Sequence, residues 1–277
     1  MSVADSRELS AAIAAVTAGL AVARARSGAA LEVTAKEGVD VVTDADVAAE
    51  DAIVSVLAER CPEIAIVGEE RGGEASGGAH WLIDPICGTR NYASQLPLYA
   101  TNLALVVAGR VRVAAVGDGT NGRVYAAVSG ERAFLASDPA RPALRPASGS
   151  LVALDLAGKP PFRGDVAAVG RFFAQLVGDG RFEPRYLGST LPFAKLACGD
   201  IAAALLLSNG DADPLHSAAG CALAEAAGAI VTDERGEPWR LGGSSLIGAA
   251  TPELHQQMLE LLERAGWAAA SRSVELR

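Results

Sequence analysis

Short apolar runs alternate with helical patterns along the second half of this 277-residue sequence. Such runs begin at residues 150, 184, 201 and 230. Between them, apolar residues recur at helical spacing over 166–178, 191–199 and 217–229. Amphipathic helices that alternate with strands bury their apolar faces against a sheet, so this order predicts a layered α/β architecture.

The first half begins with two helical patterns instead of a strand. The first covers residues 5–26, with Asp5 or Ser6 as its cap. The second begins near Thr43 or Asp44 and ends before Pro62. Because both patterns precede any strong strand signal, the first half is expected to differ in organisation from the second.

Strands are expected over 64–70 and 80–86, followed by a meander over 98–136 with a turn at 117–122. Residues 137–150 are rich in proline and serine and are the best candidate for a link between two halves. The sequence therefore predicts one compact unit in two parts, an α+β half over 1–140 and an α/β half over 150–277.

Charge and cysteine usage restrict the function. The formal net charge is −9, which argues against a nucleic-acid-binding surface and makes an anionic substrate difficult to bind without a metal ion. The N-terminal pattern is interrupted by charge and is interpreted as an amphipathic helix, not as a signal peptide or a membrane span. The four cysteines lack CxxC spacing, so reduced thiols in a cytoplasmic protein are expected.

Acidic residues collect at three places where strands end or helices start: residues 40–50, the pair Glu69–Glu70, and Asp84. Carboxylates gathered at strand ends can share one crevice if a divalent cation offsets their repulsion. The Gly88–Thr89 segment that follows Asp84 can turn backbone N–H groups toward an oxyanion. Each cluster taken alone also has a purely structural explanation, as a strand end, a helix cap or a solvated surface.

The order of these clusters resembles that of the inositol monophosphatase superfamily, a group of metal-dependent phosphomonoesterases, over nearly the whole chain. The matching segments are DVVTDADVAAE (40–50), VGEE (67–70), WLIDPICGTRNY (81–92), LGST (187–190) and DPLHSAAGCALAEAAGAIVTD (213–233). The resemblance implies an αβαβα sandwich of the inositol monophosphatase and fructose-1,6-bisphosphatase type, and a homodimer.

The resemblance also implies roles for individual residues. Glu69, the bridging carboxylate of Asp84 and the backbone carbonyl of Ile86 would hold one Mg²⁺. Thr89, paired with Asp46, would orient the attacking water. The substrate would contact Gly88, Thr89, Ser189, Asn209 and Asp213.

The sequence departs from the family pattern at the second metal site. Cys87 stands where the family has the second loop aspartate, and His216 stands where it has the aspartate of its last helix. Mg²⁺ prefers hard oxygen ligands, so a thiolate and an imidazole bind it poorly. Ordinary Mg²⁺-dependent inositol monophosphatase activity is therefore not expected.

Three interpretations of Cys87 and His216 stay open at this point. In the first, the site has decayed and the protein is a ligand-binding pseudophosphatase. In the second, Asp84, Cys87 and His216 hold a softer ion such as Zn²⁺ or Fe²⁺. In the third, Cys87 is a nucleophile whose pKa is lowered by His216 and a helix start. The favoured prediction is an enzyme with a rebuilt site that acts on a small polar or phosphorylated metabolite, with a Mg²⁺- or Zn²⁺-dependent sugar or inositol phosphatase as the alternative.

Overall fold

The computed structural model of the chain describes residues 6–29, 32–35, 41–75, 78–157, 165–208 and 212–267. Within these residues, helices and two large sheets form five layers in the order helices, sheet, helices, sheet, helices. The predicted αβαβα sandwich is therefore confirmed.

Seven helices and thirteen strands lie in the described residues. The helices are α1 (Arg7–Arg26), α2 (Asp44–Arg60), α3 (Thr89–Ala93), α4 (Val166–Asp179), α5 (Leu191–Cys198), α6 (Pro214–Ala227) and α7 (Pro252–Arg264). The first eight strands are β1 (Val33–Ala35), β2 (Val41–Thr43), β3 (Ala65–Gly68), β4 (His80–Cys87), β5 (Ala100–Val107), β6 (Arg110–Asp118), β7 (Val124–Val128) and β8 (Phe134–Leu135). The others are β9 (Leu151–Leu156), β10 (Glu183–Tyr186), β11 (Ala203–Leu207), β12 (Ile230–Thr232) and β13 (Leu246–Ala249).

Helices α1 and α2 cover one face of a six-stranded sheet with the order β3-β4-β5-β6-β7-β8. The side chain of Ser6 caps α1 by accepting a hydrogen bond from Leu9 N at 3.2 Å. At Gly19 the two helices approach so closely that a Cβ would lie 2.6 Å from Cγ1 of Ile53. The length and composition of α1 would also suit a membrane span, but eight of its residues are buried in the protein core.

Helices α5 and α6 form the middle layer and pack against both sheets. The second sheet has the order β10-β9-β11-β13-β12, in which β10, β9 and β11 run parallel to one another. Helices α4 and α7 cover its outer face around Phe172, Met258 and Trp267. Both halves of the chain thus contribute to a continuous layered core.

The predicted elements differ from the structure mainly at α6. The pattern over 217–229 indicates the helix, but α6 begins at Pro214, three residues earlier, because Asp213 caps it and proline is well suited to a first helical position. His216 therefore lies in the first turn of a helix. Strands β1–β8 precede residues 137–150 and β9–β13 follow them, and the division into halves at 1–140 and 150–277 stays a prediction.

Candidate active site

The end of strand β4 leads into the central loop of the site. It is almost wholly buried from Trp81 to Cys87, and its register with β5 shifts between Asp84 and Cys87. The chain then turns at Gly88, which has φ 100°. A Cβ there would lie 2.9 Å from the carbonyl oxygen of Leu98, so both backbone conformation and space require glycine at the start of α3.

Asp46 is held at the start of α2 by the residue that caps the helix. Its Oδ2 accepts hydrogen bonds from the backbone N (2.9 Å) and the hydroxyl (2.5 Å) of Thr43. Its Oδ1 accepts a third from the hydroxyl of Thr89 at 3.2 Å, and that hydroxyl also lies 3.0 Å from the carbonyl oxygen of Ile86. Burial raises the pKa of Asp46 to about 6, although the bonds from Thr43 oppose the shift.

Glu69 follows β3 in a turn that a buried carboxylate holds in place. Glu50 on α2 accepts hydrogen bonds from the backbone N of Glu70 and of Arg71, both at 3.0 Å. A Cβ at Gly68 would clash with this carboxylate, which explains the glycine. The backbone N of Glu69 donates to the carbonyl oxygen of Ile83 at 3.1 Å, so the turn lies beside the end of β4, where Asp84 begins the loop.

Asp84 has no exposed surface. It connects Glu69 and Asp46 to a second group of residues, Cys87 and His216. Its Oδ2 is 2.6 Å from Nδ1 of His216, whereas its Oδ1 has no hydrogen-bond partner among the described residues. Burial alone would lower the pKa of His216, but the charge of Asp84 and its hydrogen bond outweigh burial and hold this pKa well above the usual value. His216 therefore keeps its proton at a higher pH than a free imidazole does.

Cys87 lies in a polar network. Its Sγ is 2.9 Å from the hydroxyl oxygen of Thr190 and 3.4 Å from the backbone N of that residue. Asn102 on β5 donates to the same hydroxyl oxygen at 2.9 Å and to the carbonyl oxygen of His216 at 3.1 Å. These three side chains are buried, and the network links β4, β5, α5 and α6.

The surroundings of Cys87 do not favour a nucleophilic thiol. Burial raises the pKa of the Cys87 thiol to about 11, and the negative charge of Asp84 acts in the same direction. The expectation of a lowered pKa is wrong, because the hydrogen bonds from His216 and Thr190 do not offset the loss of solvation.

The donor atoms decide which cations suit each part of the site. One oxygen, one sulfur and one nitrogen atom of Asp84, Cys87 and His216 lie within 4.8 Å of one another. This mixed set does not fit a second Mg²⁺ but does fit a softer ion such as Zn²⁺. The buried, unpartnered Oδ1 of Asp84 is a hard donor atom of the kind that suits Mg²⁺.

The remaining predicted residues are placed as follows. Ser189 is buried, and its hydroxyl donates to the carbonyl oxygen of Cys87 at 3.0 Å, so it holds the loop instead of presenting its side chain to a substrate. Asp213 is half exposed at the cap of α6, with Oδ2 3.9 Å from Nε2 of His216. Asn209 lies outside the described residues.

Sequence reasoning missed Thr190 and Asn102. Thr190 stands in LGST where the family segment has alanine, and that difference was the available signal. Asn102 lies within an otherwise apolar strand, and a buried amide in such a strand requires polar partners. Neither residue is part of a motif with known chemistry, so only the fold reveals that they meet Cys87 and His216.

Comparisons with known proteins agree with this fold. The model of the inositol monophosphatase family matches residues 5–266, so the chain belongs to the inositol monophosphatase family. It is 31% identical over 247 residues to the inositol-1-monophosphatase ImpA of Mycolicibacterium smegmatis, with 83% of each chain covered. It is also 36% identical over 110 residues to a histidinol-phosphatase of Chlorobaculum parvum, covering 39% of this chain and 42% of that one.

Among solved structures, the Thermotoga maritima IMPase superposes with a TM-score of 0.79 at 24% identity, covering 93% of this chain and 97% of that one. At this identity the superposition supports the shared fold.

Proposed function

We propose that this protein is a phosphomonoesterase that acts on a small phosphorylated metabolite in the cytoplasm, with an active site that differs from the ordinary Mg²⁺-dependent arrangement in one half. The observation that carries the proposal is the hydrogen bond from the Thr89 hydroxyl to Asp46 at 3.2 Å, beside the loop that holds Asp84. A hydroxyl held in this way by a carboxylate can accept a hydrogen bond from a water molecule and orient it for attack.

A hard divalent cation would be held by Glu69, Asp84 and the Ile86 carbonyl, where it would lower the pKa of a bound water and polarise a phosphoryl oxygen. The buried Oδ1 of Asp84 supports this assignment because an unpartnered carboxylate oxygen is costly without a cation. Backbone N–H groups at Gly88 and Thr89 would contact the phosphate, since the turn leaves them at the start of α3.

The other half of the site would supply positive charge without a second magnesium ion. His216 is bonded to Asp84 through Nδ1, and its side chain is 37% exposed, so part of the ring is accessible to a substrate. An imidazolium here can stabilise charge on the leaving oxygen and give it a proton from Nε2. Asp213, 3.9 Å from Nε2, would help to keep the ring charged.

The direct test is phosphate release from inositol 1-phosphate, histidinol phosphate and glycerol phosphates with Mg²⁺. We expect Thr89→Val to lower kcat about 100-fold, whereas the matched variant Thr89→Ser retains the hydroxyl and most of the activity. Equal rates for Thr89→Val and the unaltered protein would contradict the proposal. Tight binding of these phosphates without turnover would favour a ligand-binding pseudophosphatase.

A second candidate arrangement is favoured by the close approach of the three donor atoms of Asp84, Cys87 and His216. In it these residues hold Zn²⁺ or Fe²⁺, and phosphate release depends on that ion. Elemental analysis of protein purified without chelator should then give one equivalent of zinc or iron, and Cys87→Ser should lose it. Cys221→Ser, a change at a buried cysteine on α6, is the control that should keep the metal.

We also propose that the protein is a homodimer. Helix α4 supports this with an exposed apolar stripe formed by Val166, Phe173 and Val177. Light scattering should give twice the mass of one chain, and Phe173→Glu should reduce it to one chain. A monomer at micromolar concentration would contradict the dimer without affecting the proposed chemistry.

A further inference from the structure

Asp155 lies near the carboxyl end of β9 and faces the middle layer of helices. The side chains of β9 that pack on the outer face of the second sheet, with α4 and α7, are Val152, Leu154 and Leu156. Because successive side chains of a strand point to opposite faces, Asp155 points the other way. Its partner in register on β11 is Leu206, which packs against α5 and α6. The half-buried carboxylate therefore lies on the side of the sheet where α6 carries His216.

The end of the neighbouring parallel strand, β10, lies beside the turn at Gly88. A Cβ at Gly88 would be 3.4 Å from the carbonyl oxygen of Gly188, and a Cβ at Gly188 would be 4.0 Å from Cε1 of Tyr186. The side chain of Asn91 on α3 donates to the carbonyl oxygen of Gly188 at 3.2 Å and holds the two segments together. The carboxyl ends of β9 and β10, where parallel sheets bind their ligands, are therefore next to the turn proposed to bind phosphate.

The charge of Asp155 interacts with His216 and with Arg90, the residue after Thr89 on α3. Burial raises the pKa of Asp155 to about 6, whereas a backbone hydrogen bond from Leu156 and the positive charges of His216 and Arg90 oppose this shift. Arg90 is exposed, and no direct ion pair joins it to Asp155 among the described residues. A polar group of a substrate can therefore interact with both charges at once.

The two charges require different hydrogen-bonding groups, because a carboxylate only accepts and a guanidinium only donates. A hydroxyl group does both, whereas an ammonium group only donates and a carboxylate only accepts. We propose that Asp155 and Arg90 are specificity-determining residues that hold a hydroxyl group of the alcohol part of the substrate, beside the ring of Tyr186. The inference deepens the proposed function and rests on it.

Glycerol 1-phosphate and propyl phosphate test this subsite, since the two esters have the same carbon chain and differ only in hydroxyl groups. With Mg²⁺, we expect kcat/KM to be about tenfold or more higher for glycerol 1-phosphate. 3-Aminopropyl phosphate should be no better than propyl phosphate, because its ammonium group cannot accept from Arg90. A preference for the amine over glycerol 1-phosphate would overturn the assignment of a hydroxyl group.

Asp155→Asn should lower kcat/KM for glycerol 1-phosphate about fivefold and leave propyl phosphate within about twofold, because an amide oxygen is a weaker acceptor than a carboxylate. The matched control is Asp138→Asn, which should change neither rate. Asp138 is also half-buried and accepts a backbone hydrogen bond at 2.8 Å, but it lies in the segment between the halves. Equal losses on both esters in Asp155→Asn would show an effect through His216 alone and would overturn the proposal.

Arg90→Met is a second variant that decides the question if Asp155→Asn does not fold, since Arg90 is exposed. It should also lower the preference for glycerol 1-phosphate, and an unchanged preference would contradict the subsite.

Binding separates this inference from the proposed function. If the unaltered protein releases phosphate from neither ester, the proposed function fails, and isothermal titration with the same two esters decides the subsite. Tighter binding of glycerol 1-phosphate that is lost in Asp155→Asn would support it. Equal binding of the two esters, or binding of neither, would overturn it.

Discussion

The two halves of the site are built in different ways. The half around Asp46, Glu69 and Thr89 keeps every family residue, and helix caps and turns hold its carboxylates in place. In the half around Cys87 and His216, a thiol and an imidazole stand where the motif resemblance predicts two carboxylates.

The two altered residues nevertheless have hydrogen-bond partners among the described residues. His216 is paired with Asp84, and Cys87 is bonded to Thr190, which Asn102 holds in turn. Random loss of a metal site would leave buried polar groups without partners, which is costly. These contacts support the proposal of a site rebuilt around a thiol and an imidazole.

The largest effect is expected from Asp84→Asn, because this residue belongs to both halves. The change removes a carboxylate from the proposed cation site and the charge that holds His216 protonated. Phosphate release should fall on the order of 1000-fold in kcat/KM, measured with saturating Mg²⁺. A fall of less than tenfold would mean that the two halves do not share this carboxylate in function.

A gain of function should follow when the altered half is returned to the family pattern. We expect the double variant Cys87→Asp with His216→Asp to bind a second Mg²⁺ and to release phosphate about tenfold faster or more. Isothermal titration with Mg²⁺ and initial rates measure the two effects. Each single variant is the control and should gain little, since one carboxylate alone does not complete the site.

The pH dependence of the free energy of unfolding should distinguish the contribution of His216 from that of His255. The raised pKa of His216 contributes stability that is fully present below its unfolded value of about 6.5 and is lost as pH rises through the higher folded value. Burial lowers the pKa of His255, so this residue costs stability as pH falls below about 6.5.

Urea unfolding in chelator from pH 5 to 9 measures this difference. His216→Gln should remove the loss of stability on the alkaline side, and His255→Gln should remove the loss on the acid side. The same pH profile for both variants would contradict the assigned charge of His216.

The smallest effect concerns thiol reactivity. We expect iodoacetamide to modify Cys198 first, because it is partly exposed whereas Cys61, Cys87 and Cys221 are buried. Mass spectrometry of peptides after short exposure measures the order. Fast modification of Cys87 would restore the nucleophile interpretation and contradict the raised pKa of this thiol.

The sequence predicts the layers well, because helical and strand periods are local signals. Its ordered motifs also pair Thr89 with Asp46, and the two side chains are hydrogen-bonded in the structure. It predicts that Cys87 and His216 replace two carboxylates, but it does not predict which hydrogen-bond partners they have. Asn102 and Thr190 lie 88 residues apart in the chain and meet only after both sheets have packed on α5 and α6. The sequence pattern also places the start of α6 three residues after Pro214, since the alanine-rich pattern is a stronger signal than the cap before it.

The middle layer of helices has a consequence for folding. Asp84 and Cys87 belong to the first sheet, whereas Thr190 and His216 belong to α5 and α6, which also support the second sheet. Residues 1–140 include Asp84 and Cys87 but neither Thr190 nor His216, which lie in residues 150–277. The set of donor atoms around Cys87 is therefore complete only when the elements that carry both groups are packed on one another.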